Sequence, residues 1–218
     1  NVLNPTMRVR DHFAEMLKVH AGMEKKKAYA EARGYVEKTG LPIDVLSAFP
    51  HQLSGGMRQR VVIAIGLLLK PDLVLADEPS SALDVINQQV VLTMLRDAQK
   101  ALKNTLVIVS HDMGVHGVMT HRMSIMYAGK IVEIGTTEEV FEKPIHPYTQ
   151  ALIKSLPKLG DKEQRKGLGG HPPDLRSPPS GCRFHPRCPR ATLTCGRKTP
   201  KIKEVKPDRY VACWLCSA

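Results

Sequence analysis

No apolar run in this sequence is long enough to cross a bilayer. The longest, Val61 to Leu69 and Leu73 to Ala76, fall well short of the ~20 residues a spanning helix needs, so a membrane role would have to come through a partner. The start, Asn1-Val2-Leu3-Asn4-Pro5, has neither the basic nor the apolar segment of a secretory signal, and no initiating Met. The chain is therefore expected to begin inside a longer one. Cysteine is absent before residue 182. There is no charge excess in residues 1–142, which hold 16 Lys/Arg and 16 Asp/Glu. A G-x-x-x-x-G-K-[ST] loop, whose backbone would cradle the α- and β-phosphates of a nucleotide, occurs nowhere.

The net charge of +11 lies entirely in residues 143–218, where 16 Lys/Arg face 5 Asp/Glu. A basic excess suits nucleic acid, anionic lipid headgroups, an acidic protein, or no partner at all. The basic residues are not interleaved with stacking aromatics, which weighs against nucleic acid. The five cysteines, Cys182, Cys188, Cys195, Cys213 and Cys216, share this region. Without a secretory signal, such a cluster points to a metal site rather than a disulfide framework. The 218 residues suffice for one substantial core and a smaller appendage.

Residues 6–50 read as helical. Val9 to Val19 and Lys25 to Lys38 carry apolar residues at helical spacing, with breaks at Gly40-Leu41-Pro42 and Phe49-Pro50. Residues 53–142 alternate helix and strand, which predicts an α/β layer fold. Gly55 to Leu69 is a helix opened by a Ser, and Val85 to Leu102 is another. Leu73 to Asp77 and Thr105 to Ser110 are short apolar strands of the kind buried in a parallel sheet. Met123 to Tyr127 and Lys130 to Ile134 form a hairpin across Ala128-Gly129. Gly167 to Gly181, rich in Gly and Pro, reads as a linker.

The chemistry concentrates in the α/β stretch. Leu73 to Glu78 is an apolar strand that delivers two adjacent carboxylates at its C-terminal edge, where open α/β sheets bind ligands. Asp77 could hold Mg²⁺ through water and Glu78 could orient an attacking water. Alone, this is more often a solvent-facing strand end. Ser54-Gly55-Gly56 opens a long helix whose free amides favour a phosphate, or is a plain N-cap with a Gly pair. His111 ends the next strand, where it could reach a γ-phosphate; a lone His is more often a surface residue.

Together, the order and spacing resemble one family. Leu53-Ser54-Gly55-Gly56-Met57-Arg58-Gln59-Arg60 resembles the signature motif of ABC ATPases. Leu73 to Glu78 resembles their Walker B strand, Ser81 to Asp84 their D-loop and His111 their switch histidine. The resemblance implies a partial nucleotide-binding domain of the P-loop NTPase type, with ATP and Mg²⁺ as its ligands. Two such domains close head-to-tail around two ATP molecules. Asp77 would help hold Mg²⁺, Glu78 would be the general base, and His111 would pin the γ-phosphate. Ser54, Gly55 and Gly56, with Gln59 of the same motif, would bind the nucleotide held by the opposite subunit. Asp84 would link the two sites. Because the P-loop is missing, the chain by itself is expected neither to bind ATP tightly nor to hydrolyse it.

Two later stretches narrow the branch. His146-Pro147-Tyr148-Thr149-Gln150-Ala151-Leu152 resembles a segment of peptide and nickel importers. The tail, with Arg187-Cys188-Pro189 and Val211-Ala212-Cys213, resembles the C-terminal region of oligopeptide and dipeptide importer ATPases. Cys182, Cys188, Cys195 and Cys213 are expected to ligate a [4Fe–4S] cluster, or alternatively Zn²⁺, with unligated thiols as the plain alternative. The expected organisation is a helical subdomain (1–52), the α/β part of the nucleotide-binding domain (53–142) and a Cys-rich C-terminal region (143–218). The expected function is ATP hydrolysis that powers peptide import from the cytoplasmic face of the membrane. Its partners would be a homologous ATPase subunit in a homo- or heterodimer, transmembrane permease subunits and, indirectly, an extracytoplasmic peptide-binding protein. No nucleic acid is expected. The competing reading is an ABC-type ATPase that acts on DNA through a basic metal-binding module.

Overall fold

The computed structural model describes residues 2–157 and 168–216. It divides into two compact units, residues 1–111 and 112–218. Among the described residues, no helix is long and apolar enough to cross a membrane.

The first unit opens with α1 (Val9–Ala21) and α2 (Lys25–Lys38). Helix α1 ends where Gly22 turns left-handed and its N–H reaches the Leu17 carbonyl, a conformation that costs glycine nothing. Val9, Phe13 and Leu17 form one face of α1, and Ala28, Ala32 and Val36 one face of α2. Two 3-10 turns, Ile43–Ser47 and Pro50–Gln52, lead to α3 (Gly55–Leu67). Val61, Ala64 and Leu68 join the same core, and the Tyr35 hydroxyl donates to the Leu68 carbonyl at 3.0 Å. Each fully buried aliphatic or aromatic side chain of this kind contributes ~1.5–3 kcal/mol.

Strand β1 (Leu73–Asp77), helix α4 (Val85–Leu102) and strand β2 (Thr105–Val109) complete the unit. The strands pair in parallel from Leu73 opposite Thr105 to Asp77 opposite Val109. Their continuous apolar character predicts burial on both faces, and here the structure differs. Val74, Ala76, Leu106 and Ile108 lie on the covered face, while Leu73, Leu75, Val107 and Val109 are exposed, Leu75 by 72%. Apolar residues occupy both faces of such strands when each face has a covering layer. Among the described residues only one face does.

The second unit begins with α5 (Met113–Met119), then β3 (Arg122–Tyr127), β4 (Lys130–Thr136), α6 (Thr137–Glu142) and α7 (Pro147–Ser155). After a 3-10 turn at His185–Arg187 come α8 (Leu193–Arg197), β5 (Lys203–Lys206) and β6 (Arg209–Val211). The antiparallel sheet has the order β3-β4-β6-β5. The β3–β4 hairpin turns on Ala128 and Gly129 with φ of 47° and 75°, the paired positive values of a tight two-residue hairpin. A register shift between Ile125 and Met126 gives β4 an extra residue. Val132 and Glu133, adjacent in sequence, are consequently both buried.

Glu133 is the polar centre of this unit. It accepts from Ile145 N at 2.8 Å and His146 N at 2.9 Å, and pairs with the buried Arg209 of β6. Next to it, Tyr127, Tyr148, His146 and Phe184 pack ring against ring. His146 caps α7: its Nδ1 accepts from Tyr148 N at 3.1 Å, and Pro147 follows at the first helical position.

Burial depresses the His146 pKa to about 4 from its usual 6.5. As pH falls, the unfolded chain therefore takes up this proton before the folded one does. The stability due to neutral His146 is complete above about pH 6.5 and is lost progressively towards pH 4, in total roughly 3 kcal/mol. Urea unfolding across that window should show the loss, and His146→Gln should flatten it. A variant that keeps the full wild-type slope would assign the pH dependence to other groups.

Candidate functional site

The predicted chemistry lies where β1 and β2 end. Asp77 closes β1 with its side chain exposed. Glu78 follows with φ of 46°, left-handed and uncommon for a non-glycine residue. Its N–H donates to the Val109 carbonyl at 2.8 Å, which extends the ladder by one bond as the chain turns. Glu78 Oε1 then accepts from His111 N at 3.0 Å and stands 2.8 Å from His111 Nδ1. The His111 side chain is largely exposed and that of Glu78 about a third exposed. This places a carboxylate and an imidazole, from two adjacent strands, at one edge facing solvent.

The turn after Glu78 is tied to both neighbouring helices. Ser81 N donates to the Glu78 carbonyl at 3.2 Å, and Ala82 is also left-handed, at φ of 58°. From α3, Gln59 Nε2 donates to the Pro79 carbonyl at 2.9 Å; from α4, Gln88 Nε2 donates to Ser80 Oγ at 3.4 Å. Gln59 thus supports the turn that carries Glu78.

Ser54 caps α3 by accepting from Met57 N at 3.2 Å, as a Ser before a helix should. Gly55 is exposed and Gly56 buried. A Cβ on Gly56 would lie 2.7 Å from Asn87 Oδ1, so a larger residue there would displace that side chain. Asp84 caps α4: Oδ1 accepts from Asn87 N at 3.0 Å and Oδ2 from Asn87 Nδ2 at 2.6 Å. The Asn87 backbone bond, then its side-chain bond, hold the exposed Asp84 carboxyl below its usual range. Motif reading does not single out Asn87. The available signal was an Asp followed three residues later by an amide side chain, a near-variant of the capping box.

The cysteines depart from expectation. All five are free thiols. Among the described residues, no group of three or more His, Cys, Asp or Glu side chains stands where it could hold a metal ion. Burial, followed by weaker influences that include neighbouring thiols, raises the pKa of Cys182 and Cys188. Burial and then Cys213 push Cys216 up to about 11. Cys195 is buried with its sulfur 3.3 Å from Thr192 Oγ1. Cys182, Cys188, Cys195 and Cys213 are thus neighbours without forming the four-thiolate site predicted for [4Fe–4S] or Zn²⁺. As placed, the described side chains do not converge as such a group requires.

Comparison with known proteins is consistent across the chain. Residues 1–81 match the family described as "ABC transporter", and residues 132–195 match "Oligopeptide/dipeptide transporter, C-terminal region". The chain is 42% identical to the dipeptide transport ATP-binding protein DppD of Bacillus subtilis, over 98% of its own length and 64% of that protein's. It is 38% identical to the oligopeptide transport ATP-binding protein OppD of Haemophilus influenzae, over 98% of its length and 67% of the relative's. It therefore spans about two thirds of the length of these relatives. Its fold is similar to that of the ATP-binding cassette MJ0796, solved as a post-hydrolysis dimer with ADP and Pi. That likeness has a TM-score of 0.56 and 25% identity, covering 62% of this chain and 59% of the other.

Proposed function

The chain belongs to the ATP-binding subunits of oligopeptide and dipeptide ABC transporters, and on that premise we propose that it serves a subunit that hydrolyses ATP to drive peptide import. The observation that carries this reading is the Glu78–His111 pair, 2.8 Å apart at the C-terminal sheet edge, with a signature helix start and a capped Asp84 in the same unit.

The substrate is ATP with its Mg²⁺. Asp77 contributes to Mg²⁺ binding from its exposed position. Glu78 accepts a proton from water as the water oxygen bonds to the γ-phosphorus. The bond to the β,γ-bridging oxygen breaks, and ADP and phosphate leave. His111 holds the γ-phosphate and stabilises the charge that develops on it. Positioning and electrostatics carry most of such a reaction. Ser54, Gly55, Gly56 and Gln59 serve the nucleotide of a second ATPase subunit, and Asp84 links the two sites. No step is assigned to the cysteines. The partners are that second subunit and a transmembrane permease, with peptide delivered by an extracytoplasmic binding protein. The subunit sits peripherally on the cytoplasmic face of the membrane. The DNA-acting alternative finds no support among the relatives.

The test is transport in proteoliposomes that contain the assembled importer. ATP hydrolysis is expected to rise at least several-fold with binding protein and peptide present, together with peptide uptake. ATP hydrolysis without uptake of any di- or oligopeptide would keep the ATPase and remove the peptide.

A further inference from the structure

Asn87 makes contacts that helix capping alone does not require. Capping of α4 needs only its backbone N–H, which any residue except proline supplies. The side chain does two further things. Its Nδ2 donates to Asp84 Oδ2 at 2.6 Å, so both Asp84 oxygens are held by one residue. Its Oδ1 stands 2.7 Å from where a Gly56 Cβ would be, filling space that exists only because residue 56 is glycine. Asn87 is therefore wedged between the start of α3 and the start of α4.

We infer that Asn87 is a positioning residue that couples the Ser54–Gly56 turn to the Asp84 carboxylate. The inference rests on the ATPase reading above, in which the Ser54–Gly56 segment serves the second subunit's nucleotide and Asp84 links the two sites of the dimer. When the Ser54–Gly56 turn shifts against a nucleotide, Gly56 presses on Oδ1. The same amide then carries Asp84 with it, because Nδ2 and the backbone N–H grip both carboxylate oxygens. Closure at one site is in this way transmitted to the group that links it to the other. An apolar residue at 87 would keep the cap and lose the grip. An Asp would keep the shape and place a second carboxylate against the first.

The test is steady-state ATP hydrolysis by the assembled transporter with Asn87→Leu and, separately, Asn87→Asp. The expected result is a Hill coefficient for ATP that falls towards one and a kcat reduced by about five- to ten-fold. KM should stay within about two-fold, since the groups that hold the subunit's own nucleotide are untouched. A purely structural role would lower the thermal midpoint and leave the Hill coefficient alone, and that outcome overturns the inference. So does wild-type cooperativity in both variants while the wild type turns over ATP. Absence of turnover in the wild type would remove the ATPase reading and the coupling role with it. The contact is tested independently by a thermal-unfolding cycle: Gly56→Ala should lower the midpoint less in an Asn87→Ala background than in the wild type. Additive shifts would remove the contact.

Discussion

Glu78→Gln, in the assembled transporter, is expected to bind ATP as the wild type does and to turn it over ~10²-fold or more slowly. The substitution preserves side-chain volume, and a glutamine Oε1 can still accept the His111 N–H at the position now 3.0 Å away. It removes the only property a base requires, a lone pair basic enough to take a proton from water. The left-handed backbone at Glu78, with φ of 46°, aims the carboxylate past the end of β1 towards β2. Glutamine tolerates that conformation about as well as glutamate, so a fold effect should not obscure the result. Equilibrium binding of a fluorescent ATP analogue and a phosphate-release assay together check both halves. Near-normal hydrolysis by the variant would take the base role away from Glu78, and loss of binding would make the residue structural.

The largest stability effect is expected at Glu133. Glu133→Ala should destabilise the protein by roughly 3–5 kcal/mol, the cost of leaving one partner of a buried ion pair unpaired. Arg209 and Glu133 are 1% and 0% exposed, and the Glu139 carboxylate that would remain stands 3.8 Å from the guanidinium, too far for a hydrogen bond. Its Nη2 also reaches the Lys143 carbonyl at 3.2 Å, but Nε and Nη1 make no hydrogen bond. The lost carboxylate would also orphan the Ile145 and His146 N–H groups, which are costly to bury unpaired. The double variant Glu133→Gln/Arg209→Met removes the buried charge and keeps one acceptor, the glutamine oxygen, for one of those two N–H groups. It should be more stable than Glu133→Ala alone. Urea denaturation, with hydrogen exchange at the β4 and β6 amides to localise the loss, measures both. A loss under about 1 kcal/mol for Glu133→Ala would mean that the site relaxes and admits water.

What the sequence revealed and what it hid follow from distance along the chain. The start of α3 was legible because Ser54 caps it through a bond to Met57 three residues on. The β3–β4 hairpin was legible because Ala128-Gly129 is a short turn between apolar runs. The pairing of β4 with β6 was not, since Glu133 meets Val211 across a long stretch of intervening chain. Nothing in the sequence marks Glu133 and Arg209, because only tertiary pairing together with the β4 bulge buries them. Motif order singles out Asp77, Glu78 and His111, and strand register brings Glu78 and His111 to 2.8 Å. The role of Asn87 was hidden because it depends on the absence of a Cβ at Gly56, on a different helix. The cysteines mislead in the opposite sense. Their spacing permits a four-ligand site, but among the described residues their side chains do not converge into one.

The uncovered side of the β1–β2 ribbon has a practical consequence. Leu73, Leu75, Val107 and Val109 form an apolar strip in water, carried on a ribbon of only two strands. Among the described residues neither strand has a further strand beside it, so the ribbon's edges are a template on which an extended polypeptide can add. A recombinant product limited to these 218 residues would be prone to precipitate through this strip, and chaperones would compete for it. Its solubility would report on whether the strip is covered well before any measurement of catalysis.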